Sequence, residues 1–416
     1  VCVIVSPERD LSAALPDGTE TVVQPAPDGT GGAVRAALDV VRDAETVLVI
    51  NGDHPLITAD LIAELVEVHR ENGAAATVVT VDREDPDSLG RVLRGPDGRF
   101  ERIVETKHPE GVPPDVLAIH EVNTNTFAFD AVALADAIDR IGNENVAGEY
   151  YVGDALAMLR ESGLPVLAHR VDDVSVNIGV NTRAELAVVS AEARRRILER
   201  HMLAGVTVTD PDATWIDAEV EIEPDATIEP GSTLRGGTRV GRGSVVGPHT
   251  TLIDSTLGAG VTVPHSYLMR CDVADGCQVG PFAHLRPGAT LREGAKAGTF
   301  VEVKNSEIGE GAKVPHLSYV GDAEVGAGSN LGAGAITANY DGFRKHRTKI
   351  GRDARIGVDT ALVAPVNVGD AAYTGAGSVI SEDVPPGALG ISRPEQRNVE
   401  GYAEKKAREA RREENG

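Results

Sequence analysis

At 416 residues the chain is long enough for two domains with separate cores. Aromatic residues make up 3% of it while glycine occurs 46 times, which excludes a bulky-cored sandwich and points to small aliphatic layers. A net charge of −24 argues against binding nucleic acid or an anionic membrane, and no apolar run reaches the roughly 18 residues a membrane span needs.

The chain opens with Val-Cys-Val-Ile-Val and no Met, so it begins inside a strand and reads as N-terminally incomplete. Strands are predicted at Val1–Ser6, Val47–Ile50, Ala76–Val81, Thr126–Phe129 and Val166–Val171. Between them Ala33–Val41, Leu61–Glu71 and Ala133–Ile141 carry apolar residues at helical spacing. That alternation predicts a mostly parallel sheet covered on both faces, an α/β Rossmann-like domain. Arg91–Glu105, with its Gly-Pro-Asp-Gly turn, reads as an inserted hairpin. Thr182–Met202 reads as one helix with an apolar stripe of Leu186, Val189, Ala193, Ile197 and Leu198.

Beyond residue 215 the period becomes six. Ile216, Ile222, Ile228, Leu234, Val240, Val246 and Leu252 set the rhythm, and Ile350, Ile356, Leu362, Val368, Thr374 and Ile380 close it. Six fits neither a helix nor a hairpin; it fits a left-handed parallel β-helix of hexapeptide repeats, with one inward aliphatic side chain per face. Between Thr337 and Ile350 there are seven residues too many, so a loop is expected to leave the prism at Asn339–Lys349. It carries Arg344, Lys345, His346, Arg347 and Lys349 in an acidic chain, which points to a phosphate-bearing ligand. A charged tail, Glu404–Glu414, follows. Cys2, Cys271 and Cys277 form neither a CxxC pair nor a metal cluster, and no signal peptide is legible, so a reduced, cytoplasmic protein is expected.

Six segments carry a resemblance: Ile50–Pro55, Gly148-Glu149-Tyr150-Tyr151, GPFAHLRPG at 280–288, FVEVK at 300–304, VPHLSYVGD at 314–322, and Asn339-Tyr340-Asp341-Gly342. Through them residues 1–396 resemble the bacterial bifunctional N-acetylglucosamine-1-phosphate uridyltransferase/glucosamine-1-phosphate acetyltransferases. The resemblance implies a nucleotidyltransferase domain over 1–181, truncated at its N-terminus, and a linker helix over 182–203. An acetyltransferase β-helix over 204–396 and a tail over 397–416 complete it.

It further implies that His316 is the base that deprotonates the amine of glucosamine-1-phosphate. Arg286, Lys304, Tyr319 and Asn330 match sugar-phosphate ligands. Ala333, Asn339, Tyr340, Ala376 and Arg393 match acetyl-CoA contacts, and the basic loop could meet the coenzyme's phosphates. Val358 stands where the family usually has Ser and is kept as a contact position with no chemical role. In the first domain, Asp53 and Asn181 match Mg²⁺ ligands. Asn51 and Gly52 lie in the same segment, and Gln24, Gly29 and Thr30 resemble the uracil-reading segment. Gly90, Glu105 and Asn123 resemble the sugar site, where Asn125 replaces a usual Gly. The family's Gly-rich triphosphate loop has no counterpart here, so uridyltransferase activity is expected to be impaired. UTP and acetyl-CoA are the implied co-substrates, and a homotrimer the implied assembly. Two other readings stay open: a nucleotidyltransferase of another sugar with a regulatory β-helix, and a non-catalytic scaffold.

Overall fold

Side chains that alternate between two apolar faces build the first unit, Val1–Ala193. The structure is a computed structural model and describes residues 1–145 and 148–413. Strands β1 (Cys2–Val5) and β2 (Glu20–Val23) pair in parallel as a sheet of their own. Then follow α1 (Thr30–Ala36), α2 (Leu38–Arg42), β3 (Thr46–Ile50), α3 (Ala59–Glu71), β4 (Ala76–Asp82), β5 (Arg91–Arg94) and β6 (Phe100–Val104). After α4 (Pro114–Leu117) come the long β7 (Glu121–Asp130), α5 (Ala131–Ile138), α6 (Asp154–Glu161) and β8 (Val166–Val171).

The main sheet runs β6-β5-β7-β4-β8, with β3 also on β7. Strands β3, β4 and β8 share one direction, but β7 lies antiparallel between β3 and β4. The expected mostly parallel sheet is therefore corrected: in it only β4 and β8 are parallel neighbours. Short alternating strands do not encode direction, so β7 read as one more parallel strand. Burial on both faces holds. Phe127 and Phe129 of β7 pack with Leu134, Ile138 and Leu156, while Val122 and Ala128 pack with Leu61 and Leu65 of α3. The hairpin is present as β5–β6, closed by the Gly95 N–H to the Arg99 carbonyl. The helix expected over Ala33–Val41 is interrupted at Ala37, where φ is −101°.

Helix α7 (Arg183–Leu203) is held at its start by a reciprocal cap. The Glu185 N–H donates to Thr182 Oγ, and the Asn181 and Thr182 N–H groups donate to Glu185 Oε2. Val189 and Leu198 are buried, but Leu186 is 48% exposed and does not belong to the stripe.

From Arg194 onward the second unit is a three-faced prism of short parallel strands. The first face runs from Trp215–Ile216 to Val379–Ile380 and the second from Glu221–Ile222 to Val366–Val368; the third runs from Thr207–Val208 to Leu389–Gly390. The hexad side chains point inward: Leu234, Leu252, Leu285 and Leu362 are all fully buried in one core. Full burial stabilises each by roughly 1.5–3 kcal/mol. Hydroxyls stitch one coil to the next. Ser329 Oγ donates to the Gly351 carbonyl at 2.6 Å and accepts from the Ala354 N–H at 2.9 Å. Ser244 does the same with Gly258 and Val261.

The predicted loop leaves the prism after Ala338, but Lys349 already sits in the strand Thr348–Ile350, pairing Glu324. The loop is thus Asn339–Arg347. The last helix, α8 (Tyr402–Glu413), covers most of the charged tail, whose Glu414 lies outside the described residues. Among the described residues no helix is long and apolar enough to cross a membrane.

Candidate functional site

On the prism, the corner where the third face turns into the first collects one set of predicted residues. His316 ends the strand Lys313–His316, and its carbonyl accepts from the Gly334 N–H at 3.3 Å. Ala333 lies beside that contact, and its own carbonyl accepts from the Asp359 N–H at 2.8 Å. The Val358 carbonyl accepts from Gly377 at 2.8 Å, and Arg393 Nη1 donates to the Ala376 carbonyl at 3.0 Å. His316, Ala333, Val358, Ala376 and Arg393 therefore form one ladder along one edge. Ser318 Oγ donates to the His316 carbonyl at 2.7 Å and fixes the turn that exposes the imidazole. Val358 is 47% exposed, so its branched side chain costs the core nothing.

The adjoining first face carries the cations. Arg286 follows the strand His284–Leu285, and one coil on Lys304 ends the strand Glu302–Lys304. Tyr319 starts the next coil's strand, Tyr319–Gly321. A Cβ on Gly321 would fall 2.3 Å from Tyr319 Oη, so only glycine leaves room for that ring. Arg286 pairs with Glu302 at 2.8 Å, a hydrogen bond that raises its pKa. Lys304 lies beside Lys345 of the basic loop. The charge of Lys304 holds the Lys345 pKa below the usual lysine value, while Lys304, facing Asp322 at 3.5 Å, is raised. Arg286 acts on Lys345 as well, so three cations gather on one partly covered patch. Asn339 Nδ2 reaches Tyr319 Oη at 3.5 Å.

Lys345 thus stands with the sugar-phosphate candidates. Arg347 instead pairs with Glu324 at 3.1 Å, and His346 with Asp341 at 2.7 Å. Tyr340 sits at the loop's base, bridged to Lys345 and donating its hydroxyl to the Gly342 carbonyl. Asn330 lies on the third face, opposite Lys313 in the coil of His316. Sequence reasoning missed Asp322, although it closes the quoted VPHLSYVGD segment; it is 6% exposed and bonded to Asn305, Asn339 and Lys304.

In the first unit the candidates gather at the edge formed by the carboxyl ends of β3, β4 and β8, where ligands of open α/β sheets bind. Asn51, Gly52 and Asp53 follow β3, and the Val180 N–H donates to the Asp53 carbonyl at 3.0 Å, which brings Asn181 alongside. Gly90 joins Asn123 through the Asn123 N–H (2.9 Å), and a Cβ there would stand 3.0 Å from Glu105 Oε1. Burial and the neighbouring Asp154 raise the Glu105 pKa, against the opposing charge of Lys107. Asn125 adopts φ +55°, a left-handed conformation that favours Gly, and its Oδ1 accepts from Asn123 Nδ2 at 2.7 Å. Gln24 donates to Asp28 and to the Gly29 carbonyl, and Thr30 Oγ accepts from the Val152 N–H at 3.1 Å. Gly29, at φ +99°, tolerates no side chain because Tyr150 O stands 2.5 Å from its Cβ position.

Residues 1–171 match the MobA-like NTP transferase domain, and residues 219–254 the Bacterial transferase hexapeptide (six repeats). The bifunctional protein GlmU of Mycobacterium tuberculosis is 46% identical over 399 residues, covering 95% of this chain and 80% of that protein. The chain belongs to the GlmU family. The bifunctional protein GlmU of Desulfitobacterium hafniense is 43% identical over 398 residues (96% and 87%), and that of Mycobacterium ulcerans 44% over 405 (97% and 82%). Family membership makes the chain a bifunctional transferase and sets aside the scaffold reading.

Proposed function

We propose that the prism transfers the acetyl group of acetyl-CoA to glucosamine-1-phosphate, and that the first unit transfers uridylyl from UTP to N-acetylglucosamine-1-phosphate. Together these steps make UDP-N-acetylglucosamine. The assignment places a nucleotidyltransferase over 1–181, a linker over 182–203, an acetyltransferase over 204–396 and a tail over 397–416.

The observation that carries the acetyltransferase half is the placement of His316, on the small-residue ladder, at one end of the first face's strands and of the Arg286–Lys304–Lys345 cations at the other. Small Ala333 and Ala376 leave the backbone open to an extended coenzyme, with Arg393 and Tyr340 further along. The cation patch suits a phosphate through charge-assisted hydrogen bonds, with Tyr319 and Asn330 completing the sugar site. His316 takes the amine proton as nitrogen attacks the thioester carbonyl. The C–S bond then breaks, and the thiolate leaves and is protonated. A general base contributes about 10²–10⁴-fold to such a step. An assay of free thiol released from acetyl-CoA by glucosamine-1-phosphate tests this half.

For the first unit, Asp53 and Asn181 offer a carboxylate and an amide oxygen on bonded neighbouring segments. A hard-oxygen pair suits Mg²⁺, which keeps most of its shell for water and phosphate. Mg²⁺ bound there would neutralise the clustered phosphates of UTP. Gly90, Glu105 and Asn123 would read the sugar, and Gln24, Gly29 and Thr30 the uracil. A fall in pyrophosphate release from UTP and N-acetylglucosamine-1-phosphate on Asp53→Asn, from whatever level the unmutated chain supports, tests it.

A cytoplasmic homotrimer fits this chemistry. In support, His249, His265, Phe282 and Phe300 stack along one corner at 5.3–5.5 Å between ring centres, with Phe282 and Phe300 more than half exposed.

A further inference from the structure

Asp322 has been assigned no substrate contact, yet it bonds two residues that have, Lys304 and Asn339. It is 6% exposed and adopts φ +50°, a left-handed conformation at the corner that follows the strand Tyr319–Gly321. Each of its polar groups is engaged by a different part of the site. Its N–H donates to the Lys304 carbonyl at 3.0 Å, and Lys304 Nζ stands 3.5 Å from Oδ2. Oδ1 accepts from Asn305 Nδ2 at 2.6 Å. Oδ2 accepts from Asn339 Nδ2 at 2.5 Å, at the point where the basic loop leaves the prism. The Asp322 carbonyl accepts from the Thr348 N–H at 3.2 Å, where the loop returns.

Both ends of the loop are therefore fastened to one residue. Asn339 and His346 close the loop's base by a further hydrogen bond at 2.8 Å. The fastening delivers Lys345 beside Lys304. Two ammonium groups repel one another, so the loop needs an attractive anchor to stay there. Burial works to raise the Asp322 pKa, but the amides of Asn305 and Asn339 and the charge of Lys304 pull it below the ordinary value, so the anchor is anionic.

We propose that Asp322 is the latch that holds the Asn339–Arg347 loop over the sugar-phosphate patch, a positioning residue for the amino-sugar substrate rather than a ligand to it. This rests on the acetyltransferase reading of the same site. Charge alone makes the opposite prediction: removing a carboxylate from a phosphate site should tighten phosphate binding.

The experiment compares the full chain with Asp322→Asn. Kinetics follow thiol release, and limited trypsin digestion follows cleavage after Arg344, Lys345 and Arg347. The latch predicts that KM for glucosamine-1-phosphate rises at least tenfold, and by more than KM for acetyl-CoA, whose proposed contacts Asn339 and Tyr340 stand at the loop's base. It also predicts loop cleavage at least tenfold faster. Asn305→Gly keeps a residue suited to the φ of +45° at that corner and removes one of the two amide contacts, so smaller shifts in the same directions are expected. Should Asp322→Asn not fold, Asn305→Gly alone decides. An unchanged or lower KM for the sugar phosphate, with unchanged loop cleavage, would overturn the proposal. If the unmutated chain releases no thiol, the acetyltransferase reading fails instead, and the cleavage comparison still judges the latch.

Discussion

His316 has the most exposed role of any single residue in the proposed chemistry, and its surroundings are mostly backbone. The Ser318 hydroxyl and the Gly334 N–H both bond its carbonyl and not its ring. Replacing the ring should therefore leave the coil intact. His316→Ala is expected to keep the thermal midpoint within about a degree or two, since exposed changes usually stay within about 0.5 kcal/mol. Lys345 presents a different case. Lys345→Met should raise KM for glucosamine-1-phosphate and reduce its salt dependence, because one of three cations on a partly covered patch is lost; equal salt slopes for the two proteins would count against the patch. His316 and the basic run were legible in the sequence, since both stand in segments of distinctive composition. Asp322 was not, because its importance comes from φ and from contacts with residues 304, 305, 339 and 348, which only the coil register brings together.

At the scale of elements, the prism depends on its stacked aliphatic columns. Leu285→Ala removes a fully buried side chain from a coil with neighbours above and below. The expected loss is about 2–5 kcal/mol, measured by denaturant unfolding of the prism signal. Helix α7 carries a pH-sensitive position near its end. His201 is 5% exposed with Nε2 unpartnered, and burial, then the charge of Arg200, lowers its pKa below 6.5. The folded state thus prefers the neutral ring. This contribution to stability is fully present above the unfolded value of about 6.5 and is lost as pH falls below it, toward the depressed folded value. The midpoint should fall between pH 7 and pH 5, and fall less in His201→Phe; parallel pH curves would contradict this. The hexad columns could be read directly because a six-residue period has few structural solutions. Strand direction in the first unit could not, since β7 carries the same β-branched and aromatic residues whichever way it runs. Helix α1–α2 misled for a related reason: apolar spacing persists across Ala37 while the backbone turns.

Over the whole chain, two units carry two chemistries, and each holds its own set of candidates. In the first unit the loop ends of one sheet edge bring together Asp53, Asn123 and Asn181. In the prism His316 and the cations stand at the two ends of the first face's strands. The exposed column of Phe282 and Phe300 makes association the whole-molecule expectation. Light scattering should report three times the chain mass, and Phe300→Ser should shift it toward smaller species. The most direct test of the central claim is thiol release from acetyl-CoA with glucosamine-1-phosphate, measured on the unmutated chain and on His316→Ala. The account predicts steady release by the first, with kcat lower by about 10²–10⁴-fold in the second and KM for acetyl-CoA little changed. No release by the unmutated chain, or equal rates for the two, would contradict it.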